Sequence, residues 1–358
     1  MKLLFVVNAA PAVLAGGEIS LASVRYRATM PAAALRDLGH DVTVVALDSV
    51  LAPDFRFAGD AIVLAQPKED RVLREGLIPG LGSFIQVHRQ AGIRLLIDVC
   101  DLKVGPHYAA HISGILRQPA QVEICRQFYP VLMRAADTLV VPTEILAQRL
   151  AEHIGSDLRF GVVGDPVEVA RAPVRFAPQA DAPLNLLWFG FFGGHARALA
   201  QFCQDDLPRL AALRPVSLTL LCEQNAVAHL DRLRGLAQGA VPIEWQPWSV
   251  PGLQQALAAC DAVLLPIDHA ADIAVGKSNN RALQALWAGR AVFAHPIASY
   301  RELDGFAIIG ADLVAGLKAA LDDPAACIAR MRAGQAYVAE TYTPEAIGRR
   351  WEKLLKAD

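Results

Sequence analysis

The chain has 358 residues, a formal net charge of −2 and 54% apolar residues. This apolar fraction provides for a large core and excludes a disordered chain. The near-neutral charge excludes a protein that binds nucleic acid through bulk positive charge. No apolar run approaches the roughly 20 residues of a membrane-spanning helix, and the length suits two domains of about 150 residues or slightly more each.

The cysteines and histidines predict neither disulfides nor a metal centre. Six cysteines are scattered without a Cys-x-x-Cys pair, and most lie in apolar segments. This pattern is typical of buried, reduced thiols in a cytoplasmic protein. His107 and His111 are four residues apart but lack the acidic residues of a zinc helix, so we expect no metal and no resident cofactor.

Short apolar runs alternate with amphipathic helical stretches along the whole chain. Strands are predicted at 3–7, 42–46, 61–64, 94–99, 138–141 and 159–163, and again at 184–190, 217–222, 243–246, 262–266, 291–295 and 307–309. Helices are predicted between them, for example at 144–153, 197–213, 226–237, 252–259 and 312–321. The strand runs are continuously apolar, which favours α/β architecture with parallel, doubly wound sheets buried on both faces.

The alternation restarts after residues 165–183, a segment with four prolines and no periodicity. We interpret it as a linker, with the boundary near residue 175. The prediction is therefore two Rossmann-like domains of similar size, at 1–174 and 175–342. The remaining residues, 343–358, are predicted to form a helix that packs on either domain, and docking back on the N-terminal domain is one option.

The first domain offers a loop that suits a ligand. Gly16 and Gly17 follow the first strand and permit close approach of a backbone to a ligand, although the spacing Gly-x-Gly-x-x-Gly is absent. A flexible surface loop is the alternative. Arg25 and Arg27 cannot share a helix face, so one would point into an interdomain cleft and the other to solvent. A solvated helix start is the alternative interpretation.

Two carboxylates and a histidine are candidate catalytic residues. Asp98 and Asp101 lie at the end of the strand predicted at 94–99, and His107 follows in what we interpret as a loop. The carboxyl ends of parallel strands form the ligand side of such a sheet. We predict that these three side chains contact the substrate or transfer protons. Alternatively, the aspartates cap the turn and the histidine is structural.

The second domain begins with a strand, a glycine-rich turn and a helix. Gly193, Gly194 and Arg197 lie in the context of a phosphate-binding turn, although the glycine spacing is irregular. Trp248 lies in a later loop, where it could stack on a nucleotide base. The alternative for Trp248 is a half-buried core position.

The stretch 276–289 reads as a loop that becomes a short helix and stops at a glycine. Two cations at a helix start are unfavourable against the helix dipole unless an anion is present. Backbone N–H groups at a helix start also suit phosphate. The predicted diphosphate ligands in this stretch are Lys277, Ser278, Asn280 and Arg281, and Gln284 is the predicted ribose ligand. A solvated helix face is the alternative.

These residues resemble those of GT-B glycosyltransferases, and among them the retaining family four. The sequence Ala-Ala-Asp-Thr-Leu-Val-Val-Pro-Thr at 135–143 is similar to one family segment. Residues 260–266 followed by 281–294 are similar to the donor-binding strand, helix and strand. The family has two glutamates in this region, at the positions of Gly276 and Gln284 here. The chain therefore resembles a divergent member without the paired glutamates.

The resemblance implies an enzyme of the hexosyltransferase type (EC 2.4) with two domains facing a cleft. The N-terminal domain would bind a glycan, lipid-linked or protein acceptor, and the C-terminal domain a nucleotide-diphospho-sugar as co-substrate. Lys277 and Arg281 would neutralise the diphosphate without a metal. The choice between UDP and GDP, the sugar, and retaining or inverting stereochemistry stay open.

Two alternatives of other classes stay open as well. One is a non-catalytic nucleotide-sugar-binding or scaffold protein, which the lost acidic pair favours. The other is a nucleotide-sugar 2-epimerase, which would need acids that the sequence lacks here. We expect a bacterial, cytoplasmic protein that does not bind nucleic acid and has no transmembrane segment. Peripheral contact with the inner face of the membrane, and the oligomeric state, are left open.

Overall fold

The computed structural model describes residues 1–9, 14, 21–178, 182–268 and 276–357. These residues form two compact units. The first contains residues 1–166, 276–278 and 344–357, and the second contains residues 167–268 and 279–343. The chain thus changes unit between Pro166 and Val167, a little before the boundary that we expected from the prolines.

The first unit is built on a parallel sheet. Its strands are β1 (Lys2–Val7), β2 (Asp41–Ala46), β3 (Ala61–Ala65), β4 (Arg94–Asp98), β5 (Thr138–Val141) and β6 (Phe160–Val162). Among the described residues the order is β2-β1-β3-β4-β5-β6, and all neighbours run parallel. The strand order reverses between β1 and β3, which makes this pair the topological switch point of the sheet.

Helices connect these strands and cover the sheet. They are Ala22–Val24, the π-helix Arg25–Thr29, Met30–Asp37, Leu47–Val50, Glu69–Val72, Leu77–Gln90, Gly105–Ile115, Pro119–Arg134 and Glu144–Ile154. Strands β1, β3, β4 and β5 are almost completely buried, as expected when helices cover both faces of a parallel sheet.

The second unit repeats this architecture. Its strands are β7 (Leu184–Phe189), β8 (Val216–Cys222), β9 (Ile243–Pro247), β10 (Ala262–Leu265), β11 (Ala291–Ala294) and β12 (Ile308–Ile309). The order among the described residues is β12-β11-β10-β7-β8-β9, again parallel throughout. The switch point of this sheet lies between β7 and β10.

The helices of the second unit include two that the sequence predicted as one. They are Phe192–Asp205, Leu207–Leu213, Gln224–His229 (a 3₁₀-helix), Leu230–Leu236, Val250–Ala259, Asn280–Trp287, Ala298–Leu303 (a 3₁₀-helix), Leu313–Asp322 and Pro324–Thr341. The single helix predicted over 197–213 was wrong. Pro208 lies in the first turn of the second helix, where its missing N–H is tolerated, whereas it would break the interior of a longer one.

The prediction of an α/β fold with two doubly wound parallel sheets is confirmed. All twelve predicted strands are present among the described residues, each within one residue of its predicted bounds. They were predictable because strands covered on both faces consist of uninterrupted apolar residues.

The C-terminal helix, Pro344–Lys356, packs within the first unit. Trp351 is fully buried, and its ring packs edge to face against that of Phe5, with 5.6 Å between the ring centres. Gly348 lies so close to Ala34 that an added Cβ would approach the Cβ of Ala34 to 2.7 Å. The helix therefore completes the core of the unit that contains β1.

The proline-rich segment is a packed part of the second unit. Its described residues contain no helix or strand between β6 and β7, but Val167, Val169 and Phe176 are buried. The ring of Phe176 lies 6.5 Å from that of Phe293 on β11. The segment predicted as a linker contains the change of unit, and its apolar side chains join the core despite the lack of periodicity.

The cysteines match the prediction of buried thiols. All six are free, five are buried, and Cys100 is half-buried. Burial raises the pKa of Cys203 and Cys260 to about 12 each, so these side chains remain neutral thiols. Among the helices of the described residues, we find none with the length and apolarity to cross a membrane.

Candidate functional site

Arg281 lies at the switch point of the second sheet. It belongs to the first turn of the helix Asn280–Trp287, and its Nη1 lies 3.4 Å from the carbonyl oxygen of Phe189, to which it donates a hydrogen bond. Phe189 is the last residue of β7, which pairs with β10. Crevices at the carboxyl ends of strands, next to a switch point, are where open α/β sheets bind ligands.

The Arg281 guanidinium has no acidic partner in the described part of the chain. Burial lowers its pKa, and only the hydroxyl of Tyr300 opposes this effect. Gly190, with φ of 145°, lies against the guanidinium, where an added Cβ would come within 3.2 Å of Arg281 Cδ. A cation that is desolvated without a counter-charge is costly, so the arrangement favours an anionic ligand.

The neighbouring Asn280 carries a buried donor without a partner. Its Nδ2 is shielded from solvent and finds no acceptor among the residues that the structure describes. The helix that begins here lacks a side-chain cap from Asn279, which leaves first-turn N–H groups for a ligand. Ser278, half-buried, precedes them. An anion at this helix start would accept hydrogen bonds from the Asn280 side-chain amide and from the backbone N–H groups of the first turn.

A hydrogen-bond network fixes the residue at which this helix begins. Asn279 is buried, and its Nδ2 donates to Glu302 Oε1 and, at 3.4 Å, to the hydroxyl of Tyr342. Glu302 Oε2 also accepts hydrogen bonds from the hydroxyls of Tyr342 and Tyr337, at 2.6 and 2.7 Å. Burial and the Glu302 carboxylate raise the pKa of Tyr342, which keeps it a donor.

Gln284 is completely buried in the same helix. Its Oε1 accepts hydrogen bonds from the backbone N–H groups of Glu168 and Val169, at 3.0 and 3.3 Å. The side chain thereby holds the start of the second unit against the helix. A ribose contact for Gln284 stays a prediction, and it would require these bonds to rearrange.

The glycine-rich turn after β7 already holds a carboxylate. Glu223 follows β8, and its two oxygens accept from the N–H groups of Phe192 and Gly193, at 2.8 and 3.1 Å. Phosphate at this helix start would have to displace Glu223. Gly194 is exposed, and the 88% exposed side chain of Arg197 lies 3.7 Å from Asp268, just beyond β10.

Trp248 is half-buried directly after β9. Its backbone N–H donates to the carbonyl of Cys222 at 3.0 Å, which extends the pairing of β8 and β9. Trp248 therefore lies at the carboxyl edge of the second sheet, which is the ligand side of such a sheet. Stacking on a base stays a prediction.

Lys277 and Asp101 form an ion pair within the first unit. Lys277 Nζ lies 3.1 Å from Asp101 Oδ1, and both side chains are nearly half exposed. The positive charge of Lys277 lowers the pKa of Asp101. The structure thus joins a residue predicted for diphosphate with one predicted for catalysis. Because exposed ion pairs contribute only about 0–1 kcal/mol, Lys277 can exchange this partner for a phosphate at little cost.

Asp98 lies in a buried cluster with Arg27 and Asp165. It is 2% exposed, Arg27 Nη2 donates to it at 2.7 Å, and Arg27 Nη1 reaches Asp165 at 3.1 Å. Burial raises the pKa of Asp98 more than the Arg27 charge lowers it. The expectation that Arg25 or Arg27 faces solvent was wrong, since both are buried. A catalytic role for Asp98 stays a prediction.

Several other predicted residues have different surroundings. His107 is exposed and helical, within Gly105–Ile115, so the predicted loop was wrong there; Pro106 at the helix start favours the helix. Arg25 lies over the ring of Tyr26, 5.3 Å from its centre. Gly16 and Gly17 lie outside the described residues.

Three acidic residues that shape these sites were not predicted. Glu223 and Asp165 each follow a strand, β8 and β6, which is the same signal that identified Asp98. Glu302 carries no local signal of its partners, and neither does Arg27, which the sequence did single out. No three His, Cys, Asp or Glu side chains come together as metal ligands within the described ranges.

Solved structures share this fold along the whole chain. Anabaena Alr3699/HepE, solved with UDP and glucose, is 12% identical, with a TM-score of 0.64 over 99% of both chains. AviGT4, a glycosyltransferase of avilamycin A biosynthesis, is 14% identical, with a TM-score of 0.59 over 99% of this chain and 97% of its own. The fold is that of GT-B glycosyltransferases.

A longer protein also contains the fold. TarM is 12% identical, with a TM-score of 0.55 over 83% of this chain and 55% of its own. No protein-family model and no curated protein matches the sequence. At these identities the likeness shows the two-domain, Rossmann-like fold alone.

Proposed function

We propose that the protein is a glycosyltransferase that binds a nucleotide-diphospho-sugar in its second unit and an acceptor in its first. The observation that carries this proposal is Arg281, a half-buried cation without an acidic partner in the described residues, at the switch point between β7 and β10. The shared fold supports the proposal, because HepE was solved with UDP and glucose.

Arg281 and the Asn280 amide would bind the diphosphate. Lys277, which lies in the first unit, stays a predicted diphosphate ligand. Arg281 would stabilise the negative charge that develops on the departing nucleoside diphosphate, which is electrostatic catalysis of glycosyl transfer. The first-turn N–H groups and Ser278 would add neutral donors.

The acceptor side of the proposal involves Asp101 and His107. Asp101 is half-exposed, so it is better placed than the buried Asp98 to contact a substrate hydroxyl. If Lys277 exchanges Asp101 for a phosphate, the largest of the effects that lower the Asp101 pKa weakens, and Asp101 becomes a stronger base. General-base assistance to the acceptor hydroxyl is the role that this change suits.

The finer assignments belong to the same proposal. They are a hexosyl donor carried by UDP or GDP, membership of the retaining family four without its paired glutamates, and transfer that needs no metal. The acceptor would be a glycan, a lipid-linked sugar or a protein. Gln284 and Trp248 remain the proposed ribose and base contacts, and Gly193, Gly194 and Arg197 the secondary diphosphate contacts. The proposal also includes a cytoplasmic location, and it leaves open whether the protein contacts the membrane peripherally.

A donor panel tests the proposal. The purified protein is incubated with UDP-, GDP- and dTDP-sugars, with and without a cell extract that supplies acceptors, and the nucleotide products are quantified. Release of one nucleoside diphosphate, stimulated by the extract, is the expected result. A new nucleotide-sugar formed without acceptor identifies an epimerase instead. Binding with neither transfer nor hydrolysis supports a scaffold and contradicts the proposal.

A further inference from the structure

The switch point of the first sheet contains three buried polar atoms without hydrogen-bond partners in the described residues. They are Asn8 Oδ1, Gln66 Nε2 and Gln66 Oε1. Asn8 directly follows β1 and Gln66 directly follows β3, so both lie where the strand order reverses. The Gln66 residue is only 7% exposed. An amide buried with neither its donor nor its acceptor paired is rare and requires an explanation.

The backbone beside these amides is held in place from several directions. Gln66 N–H donates to the carbonyl of Asp98 at 2.9 Å, and Gln66 O accepts from Asn8 Nδ2 at 2.6 Å. The next carbonyl, that of Pro67, accepts from the Tyr129 hydroxyl at 2.9 Å. The Gln66 side chain therefore extends from a fixed backbone, as a binding residue should.

The charged groups around this position already have partners. Lys103 is buried, donates to Pro67 O at 3.4 Å, and lies 3.2 Å from Glu69. Glu69 also accepts a hydrogen bond from the Tyr108 hydroxyl at 3.1 Å. The groups left unsatisfied are thus neutral amide atoms, two acceptors and one donor, which match alcohol hydroxyls and do not match an anion.

We propose that Asn8 and Gln66 form a binding subsite for the hydroxyl groups of a neutral sugar. The planar Gln66 amide can donate to one hydroxyl of a vicinal pair and accept from the other, while Asn8 Oδ1 accepts from a third. The interpretation of this sugar as the acceptor of the transfer reaction rests on the proposed function. The subsite itself rests only on the geometry of the first unit.

Saturation-transfer NMR on the full chain tests the subsite. The probes are D-glucose, D-galactose, D-mannose and N-acetyl-D-glucosamine, each added without nucleotide and again with UDP. At least one sugar should receive saturation from the wild-type protein, and excess inorganic phosphate should not reduce the signal. In Gln66→Leu the affinity should fall about tenfold or more, because two hydrogen bonds are lost. Absence of any sugar signal in the wild type, or competition by phosphate, contradicts the proposal.

The melting temperature separates binding from a structural role. Gln66→Leu should melt at the wild-type temperature or higher, since it removes buried polar atoms that have no partners. Gln335→Leu is the matched control, because Gln335 Nε2 donates to the carbonyls of Ala172 and Trp287 at 2.8 Å each. It should melt lower and leave the sugar signal unchanged. A Gln66→Leu melting temperature as low as the control's overturns the proposal, as does an unchanged sugar signal in that variant.

The two proposals can fail separately. UDP binding by the wild-type protein reports on the donor site of the second unit, whereas sugar binding without UDP reports on Asn8 and Gln66. A wild-type protein that binds a sugar but not UDP rejects the proposed function and supports the subsite. A wild-type protein that binds UDP but no sugar supports the donor site and rejects the subsite.

Discussion

Replacing Arg281 by methionine should change the stability of the free protein little and weaken diphosphate binding. The substitution keeps an apolar stem of similar path and removes the guanidinium, whose pKa burial lowers. A half-buried cation without a counter-charge costs about 1–3 kcal/mol, and the lost hydrogen bonds to Phe189 and Tyr300 offset about 1 kcal/mol each. We therefore expect the free energy of unfolding to change by less than about 1 kcal/mol in urea denaturation.

The same change should affect UDP much more than uridine. Hydrogen bonds to a charged group contribute about 1.5–3 kcal/mol, which corresponds to a loss of roughly 10- to 150-fold in affinity. Uridine lacks the diphosphate, so its affinity should change less than about twofold. Isothermal titration calorimetry gives the affinity of each variant for UDP and for uridine.

Arg232→Met is the control for the change in net charge. Arg232 is exposed in the helix Leu230–Leu236, so its removal should alter neither stability nor the ratio of UDP to uridine affinity. A loss of more than about 2 kcal/mol in the free energy of unfolding of Arg281→Met would refute the idea that this cation lacks a counter-charge. Equal losses for UDP and uridine would refute its role in binding the diphosphate.

Three further predictions concern the other charged positions. Glu223→Ala should lower the free energy of unfolding by about 1–2 kcal/mol, and sulfate should restore part of this loss by binding at the helix start that Glu223 leaves. An equal loss at every sulfate concentration would contradict an anion site there. Asp98→Asn should lower the free energy of unfolding by about 3–5 kcal/mol in urea denaturation, because the buried charge of Arg27 loses one of its two carboxylate partners. A urea midpoint equal to that of the wild-type protein would contradict the buried cluster. Lys277→Met should raise the pKa of Asp101 in an NMR titration, since Lys277 lowers that pKa in the wild-type protein. Asp101 stabilises the fold above its unfolded pKa, and this contribution, which is lost as the pH falls through the lower folded pKa, should become smaller in the variant. An unchanged titration curve would contradict the ion pair.

Much of the fold was predictable because its signals are local. A strand covered on both faces is an uninterrupted apolar run, so β5 at Thr138–Val141 could be bounded from its own four residues. The helix Pro344–Lys356 was likewise predictable from its one apolar side. The carboxyl ends of such strands indicate the ligand side of a sheet, which explains why Asp98 was noticed. The same rule would have identified Asn8 and Gln66.

The partners of the charged side chains were decided by the tertiary structure. Arg27 and Asp98 are 71 positions apart, and Lys277 and Asp101 are 176 apart, so no periodicity relates them. Glu223 fills a helix start that the sequence suggested was open to phosphate. Gln284 is turned inward by backbone N–H groups more than a hundred residues earlier.

The sequence by itself determined which residues form strands and helices and which polar residues reach the ligand edges of the two sheets. Only the tertiary structure decided which of those polar groups are already satisfied and which are left for a ligand. The physical reason is that burial pattern follows from neighbouring residues, whereas the pairing of buried charges and amides depends on distant segments that folding brings within hydrogen-bond distance. Asn8, Gln66 and Asn280 are among the side chains with buried atoms that folding leaves without partners in the described residues, and Arg281 is a half-buried cation that it leaves without an acidic one.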